Sequence, residues 1–143
     1  MLLFPKKVKH RRWQNDRENL SIPKVDTRGT KLQFGSFALK STSRARITSR
    51  HIESARKVVT RGVGKTGKYW IRIFPDRPYT RKAAEVGMGK GKGSPEGFCF
   101  EVLPGRIIFE VDNIPEAEAR EVLRKAGSKL PITTRIVARD DIV

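Results

Sequence analysis

The sequence predicts a two-layer α+β fold, with two helices packed on a mainly antiparallel sheet. Three observations carry that expectation. Segments 48–61 and 115–130 repeat apolar residues at helical spacing. Strand-like runs at 32–39, 69–74, 98–111 and 132–136 surround them, giving the order β-α-β-loop-β-β-α-β. The length, 143 residues, suits one domain with a modest core.

Residues 1–30 read as a basic extension without a periodic apolar pattern, and 31–143 as a single domain. In the extension Lys6, Lys7, Lys9, Arg11 and Arg12 surround His10, and Trp13 follows. Such an arm can track phosphates while Trp13 stacks on a base or packs on the domain. A solvated tail is the alternative. Leu32, Phe34, Phe37 and Leu39 alternate with a slip at Gly35-Ser36, which predicts a strand with a bulge there.

Thr48 can N-cap the first helix, whose Ile52, Ala55 and Val59 share one face. Arg50, Ser54, Lys57 and Arg61 line another, with Arg46 just before. Glu53 is placed to pair with Lys57, leaving a cationic face able to grip phosphates or simply solvated. Tyr69–Phe74 predicts a strand closed by Pro75 and Pro78, and 76–97 a long loop. Phe98–Leu103 and Arg106–Val111 predict a hairpin around Pro104-Gly105, although that dipeptide favours a type II turn. Pro115 opens the second helix, with Glu116 and Glu118 at its positive end and Ala119, Leu123, Ala126 and Leu130 as its core stripe. Glu116–Arg120 and Glu121–Lys125 are oriented as i, i+4 pairs. Pro131 stops the helix, and Ile132, Thr134 and Ile136 form a last strand.

The formal charge is +16, and it is unevenly placed. Residues 1–50 hold 13 Lys/Arg against 3 Asp/Glu, residues 51–100 hold 11 against 4, and residues 101–143 hold 7 against 8. The excess lies wholly in the first two thirds, where self-repulsion calls for a neutralising partner. Nucleic acid fits best. No basic amphipathic helix with an aromatic face supports a membrane surface, and no apolar run approaches the roughly 20 residues of a membrane span. The N-terminus lacks a secretory h-region, and the single Cys99 excludes an internal disulfide, so a reducing compartment is expected.

Within the long loop, Gly87-Met88-Gly89-Lys90-Gly91-Lys92-Gly93 places glycine at every second position beside two lysines. Glycines give close backbone approach and unshielded N–H groups at a cost in ordering entropy. A polyanion is the natural target.

Catalytic chemistry finds no comparable support. Gly62-Val63-Gly64-Lys65-Thr66-Gly67-Lys68 fits P-loop spacing, but Tyr69 stands where a magnesium-binding hydroxyl belongs and the helix precedes the glycines. His10 and His51 lack neighbours suited to a relay or ligand set. Cys99 reads as a small buried residue, and Glu116, Glu118 and Glu121 as helix charges. No catalytic residue, metal site or cofactor is expected.

Several strings together resemble a known family, the sixteenth protein of the bacterial large ribosomal subunit. They are Pro5-Lys6-Lys7-Val8-Lys9, Phe34-Gly35-Ser36-Phe37-Ala38-Leu39-Lys40, Arg44-Ala45-Arg46-Ile47-Thr48 and Ile52-Glu53-Ser54-Ala55-Arg56. Trp70-Ile71-Arg72-Ile73-Phe74-Pro75-Asp76, Met88-Gly89-Lys90-Gly91-Lys92-Gly93, Ile114-Pro115-Glu116 and Lys129-Leu130-Pro131-Ile132 continue the series in order.

The resemblance implies an alpha/beta-hammerhead type of fold and a non-catalytic place in the large subunit, in the cytoplasm or an organelle. Its implied partners are large-subunit rRNA, neighbouring ribosomal proteins and A-site tRNA, with P-site tRNA a second candidate. Late subunit assembly and tRNA positioning are the implied roles. The expected rRNA-binding residues are Lys6, Lys7, Lys9, Arg11, Arg12, Arg44, Arg46, Arg50, Arg56, Lys57, Arg61, Lys68 and Arg72. Gly87, Met88, Gly89, Lys90, Gly91, Lys92 and Gly93 form the expected tRNA-proximal loop. Bacterial members commonly carry arginine where Gly87 stands, and a more uniformly basic stretch where Asp16, Glu18 and Asp26 occur. A different path over RNA is expected for residues 14–30. A free-standing RNA-binding regulator or chaperone is the alternative function.

Overall fold

The structure, a computed structural model, describes residues 3–14 and 21–139. Its elements are β1 (Phe37–Ser41), β2 (Ala45–Thr48), α1 (Ser49–Val63), β3 (Lys68–Ile71), β4 (Arg77–Arg81), β5 (Ser94–Val102), β6 (Ile107–Asp112), α2 (Glu116–Gly127) and β7 (Thr134–Ala138). Every strand pairing is antiparallel, and the α+β class is as predicted. The strands divide into a four-stranded sheet, β3-β6-β1-β7, and a three-stranded sheet, β2-β5-β4.

Both helices form where periodicity placed them. The Thr48 backbone N–H donates to Nδ1 of His51 at 3.3 Å, closing the first turn of α1 and giving His51 a local role. Ile52, Ala55, Val59 and Val63 of α1 meet Ala119, Val122, Leu123 and Ala126 of α2 over Leu39, Phe109 and Val111 of the larger sheet. Each such large apolar side chain stabilises the fold by about 1.5–3 kcal/mol on full burial. The helices approach closely at Gly62, where a Cβ would come within 2.2 Å of Val122 Cγ2. Leu3, from the basic extension, is buried in this same core.

Four sheet expectations need correction. Phe98–Leu103 and Arg106–Val111 are not a hairpin, because β5 and β6 belong to different sheets. The type II turn does form: Gly105 has φ +95°, and the Arg106 N–H donates to the Leu103 carbonyl at 3.3 Å. Type II geometry splays the segments it joins, so here it passes the chain between sheets.

Residues 76–97 are mostly a hairpin, β4 with β5, leaving 82–93 as its connection. Pro78 lies within β4, an edge strand, where a missing N–H breaks no ladder. The strand expected at 69–74 ends at Ile71, although Ile73 still reaches the core. The strand expected from residue 32 begins only at Phe37, and its irregularity falls between Leu39 and Lys40 rather than at Gly35-Ser36.

Glu110 explains the irregular path of 33–35. Its fully buried carboxylate accepts backbone N–H bonds from Gln33 at 3.3 Å, Phe34 at 2.7 Å and Gly35 at 2.8 Å, and it pairs with Arg72. Backbone donors spent on a carboxylate cannot extend a ladder. Gly35 fits because a Cβ there would meet the Val111 carbonyl oxygen at 2.5 Å.

Candidate nucleic-acid interface

The structure sorts the sequence-derived cations by whether the fold supplies them an acceptor. Lys6, Lys7, Lys9, Arg11 and Arg12 are exposed on the arm, and Arg50, Lys57 and Arg61 on the outer side of α1. Lys68 is exposed at the start of β3. None of these nine side chains has a carboxylate within ion-pair distance among the described residues. Their field is directed at solvent.

Arg46, Arg56 and Arg72 have internal partners. Arg46 Nε donates to Glu101 at 2.9 Å, and Arg77 pairs with the other oxygen of that carboxylate. Arg56 donates to both oxygens of Glu53, at 2.7 and 2.8 Å, and to the Tyr69 hydroxyl at 3.4 Å. The guanidinium holds the Glu53 carboxyl below its ordinary value, and Glu53 in turn raises Arg56. Glu53 therefore pairs with Arg56 at i, i+3, not with Lys57 as the spacing suggested. The bidentate guanidinium fork favours that choice. Arg72 spans the Glu110 carboxylate and the Gln33 side chain, with its guanidinium 5.0 Å from the Phe34 ring centre. Arg44 is exposed just before β2 and has an interaction partner of its own.

The glycine–lysine segment lies in the connection of the β4–β5 hairpin. Only Cys99–Val102 of β5 pairs with β2, so Ser94–Phe98 continues with β4 as a two-stranded ribbon. Residues 87–92 are exposed at its tip, Met88 by 99%, and Gly93 is half-buried at the base. Gly89, Lys90 and Gly91 all have positive φ, at +95°, +55° and +89°. Three successive residues in that region turn the backbone sharply, which two of them manage by lacking a Cβ. At Gly93 a Cβ would lie 2.7 Å from the Arg81 carbonyl oxygen, so glycine is required by close approach. Gly87 has neither constraint.

Arm and hairpin come together, which sequence reasoning did not foresee. Lys92 Nζ donates to the Trp13 carbonyl, and Arg77 donates to the Gln14 carbonyl at 3.2 Å. The Arg77 guanidinium also stands 5.7 Å from the Trp13 ring centre. Nearer the chain start, Phe4, Lys6 and Arg11 face Pro78, Pro95 and Phe98 across an open cleft of about 430 Å³. Arg77, Lys82 and Arg81 were missed because the loop reading gave them no register. Lys82 donates to the Gly89 carbonyl, and Arg81 lies 3.6 Å from Glu96.

Asp26 is held against the domain: it lies 3.7 Å from Arg106 and its N–H donates to the Pro104 carbonyl at 2.8 Å. Asp16 and Glu18 fall outside the described residues. Gly62–Lys68 runs from the end of α1 into β3, with Gly64 at φ +69° just after the helix. Cys99 is buried, which pushes its thiol up, and among the described residues no helix is long and apolar enough to cross a membrane.

A small α+β domain whose arm, α1 face and ribbon-tip Lys90 carry cations with no carboxylate within ion-pair distance among the described residues defines a class: the basic, polyanion-binding protein. The family follows from comparison with known proteins. Residues 5–137 match the model of the family described as ribosomal protein L16p/L10e. The large ribosomal subunit protein uL16 of Parabacteroides distasonis is 51% identical over 140 residues, covering 98% of this chain and 94% of that protein. The uL16 of Porphyromonas gingivalis is 51% identical over the same shares, and that of Azobacteroides pseudotrichonymphae 50% identical over 98% and 95%. The chain belongs to the ribosomal protein L16p/L10e family, and these relatives are all named as large ribosomal subunit proteins.

Proposed function

We propose that this chain is a structural constituent of the large ribosomal subunit that binds large-subunit rRNA. Family membership supports this reading, and the supply of cations without a carboxylate partner among the described residues carries its chemistry. Lys6, Lys7, Lys9, Arg11 and Arg12 follow phosphates along the arm, while Arg50, Lys57, Arg61 and Lys68 meet them from the domain. Each neutralised phosphate releases condensed counterions, so affinity falls steeply with salt. Recognition reads RNA shape more than base sequence. Arg46, Arg56 and Arg72 hold the fold that presents these groups, and any contact they make with RNA shares them with a carboxylate.

The ribbon tip, Gly87–Gly93, approaches A-site tRNA near the peptidyl transferase centre and supports tRNA positioning and late assembly. Its exposure, its bare backbone and its anchorage to the arm through Lys92 support that role. Neighbouring ribosomal proteins complete its surroundings, in the cytoplasm of a bacterial cell. Native lysate resolved on a density gradient tests the reading: the chain should travel with large subunits at moderate salt. A separate pool bound to mRNA or small RNA, with none in large subunits, would replace it with a free-standing regulator or chaperone.

A further inference from the structure

The four-stranded sheet carries a like-charge pair on its face away from the helices. In the β1–β7 ladder Lys40 lies directly opposite Arg135. Leu39 and Ile136, one position along, face the helix-covered core, so Lys40 and Arg135 point the other way, toward Ala38 and Val137. Directly opposed side chains start about 4.5–5.5 Å apart at Cβ, and like charges in that position destabilise a sheet. Neither residue has a carboxylate within ion-pair distance among the described residues, whereas Arg46, Arg56, Arg72 and Arg77 each have one.

The pair also borders an open cleft. Lys40 and Arg135 share with Thr42, Pro104, Gly105 and Val137 the lining of a space of about 420 Å³. Among the described residues its walls add no acidic group. Lys40 is half-buried and Arg135 exposed.

We propose that Lys40 and Arg135 clamp one backbone phosphate of the bound RNA in this cleft. A phosphate between two cations turns their repulsion into paired attraction, and Arg135 can offer two N–H groups to it while Lys40 acts as a point charge. This site adds a contact on the outer face of the sheet, apart from the arm, the α1 face and the ribbon tip. It rests on the RNA-binding reading above.

The test uses the full chain with Lys40→Gln, Arg135→Gln and the charge-keeping pair Lys40→Arg and Arg135→Lys. Two quantities are read: the thermal midpoint of the free protein at low salt, and affinity for bacterial large-subunit rRNA across a salt series. Either glutamine variant should raise the midpoint by about 1–3 °C, because it relieves cross-strand repulsion. The same variant should weaken RNA binding about 3- to 10-fold and make the log–log salt slope shallower by about one unit. Lys40→Arg should stay near wild type in both, and Arg135→Lys should keep the wild-type midpoint and salt slope while losing part of the affinity with the two-pronged contact.

Opposite signs of the two effects are the signature, since a merely structural pair would lose stability and affinity together. Such a joint loss, or unchanged RNA affinity in both glutamine variants, overturns the clamp while leaving the RNA reading in place. Failure of the wild-type chain to bind the rRNA would overturn the RNA reading itself, and the clamp with it.

Discussion

At one edge of the four-stranded sheet, Arg72 is held by the buried Glu110 carboxylate, which also binds three backbone N–H groups. At the tip of the β4–β5 ribbon, Lys90 meets no carboxylate among the described residues and extends from a backbone at φ +55°. Both are cations in strings that belong to the same family pattern, yet the fold treats them oppositely. Arg72 completes a buried polar network, whose loss is felt in stability. Lys90 is left with an uncompensated field, whose loss is felt only when a polyanion is present. The acceptor a fold supplies in advance, more than the residue type, separates a structural cation from a binding one.

Glu110→Ala should break the first half of that comparison. It strands Arg72 and three backbone donors around a fully buried position, costing about 3–5 kcal/mol. Urea unfolding should show a large fall in midpoint, and a change under 1 kcal/mol would mean that the network is dispensable.

Gly93→Ala probes the base of the ribbon. The added methyl meets the Arg81 backbone at 2.7 Å and should cost about 1–3 kcal/mol by forcing the two ribbon strands apart. The same unfolding assay measures it, and an unchanged midpoint would show that the ribbon base yields freely.

Gly87→Arg should have the smallest effect on stability, within about 0.5 kcal/mol, because nothing lies within 4 Å of a Cβ there and φ is not positive. It adds a cation at the tip, so rRNA affinity should rise modestly, about 2- to 5-fold, in a filter-binding titration. A folding defect would contradict the open space around Gly87.

The helices were the most legible part of the fold, because Ile52, Ala55 and Val59, and Ala119, Leu123 and Ala126, state their buried faces by spacing alone. The split into two sheets was not legible. Val102 and Ile107 belong to strands on either side of one turn, and only the splay of Pro104-Gly105, not its presence, sends them apart. The β4–β5 ribbon was hidden because Arg77, Thr80, Arg81 and Glu96 carry no apolar alternation; its register comes from backbone pairing. The glycine–lysine tip was legible as a polyanion-facing segment from composition. Its coupling to Trp13 and Gln14 was not, since contacts across more than sixty residues leave no local trace. Likewise the spacing of Glu53 suited both Arg56 and Lys57, and side-chain geometry chose between them.

The central claim is that the ribbon-tip cation Lys90 serves a polyanion and not the fold, whereas Lys92 also ties the ribbon to the arm. The most direct measurement is the salt dependence of large-subunit rRNA binding by the wild-type chain and the Lys90→Ala variant, at matched thermal midpoints. The wild type should show a steep negative log–log slope, and the variant a slope shallower by about one unit. Equal slopes for the two proteins would contradict the claim.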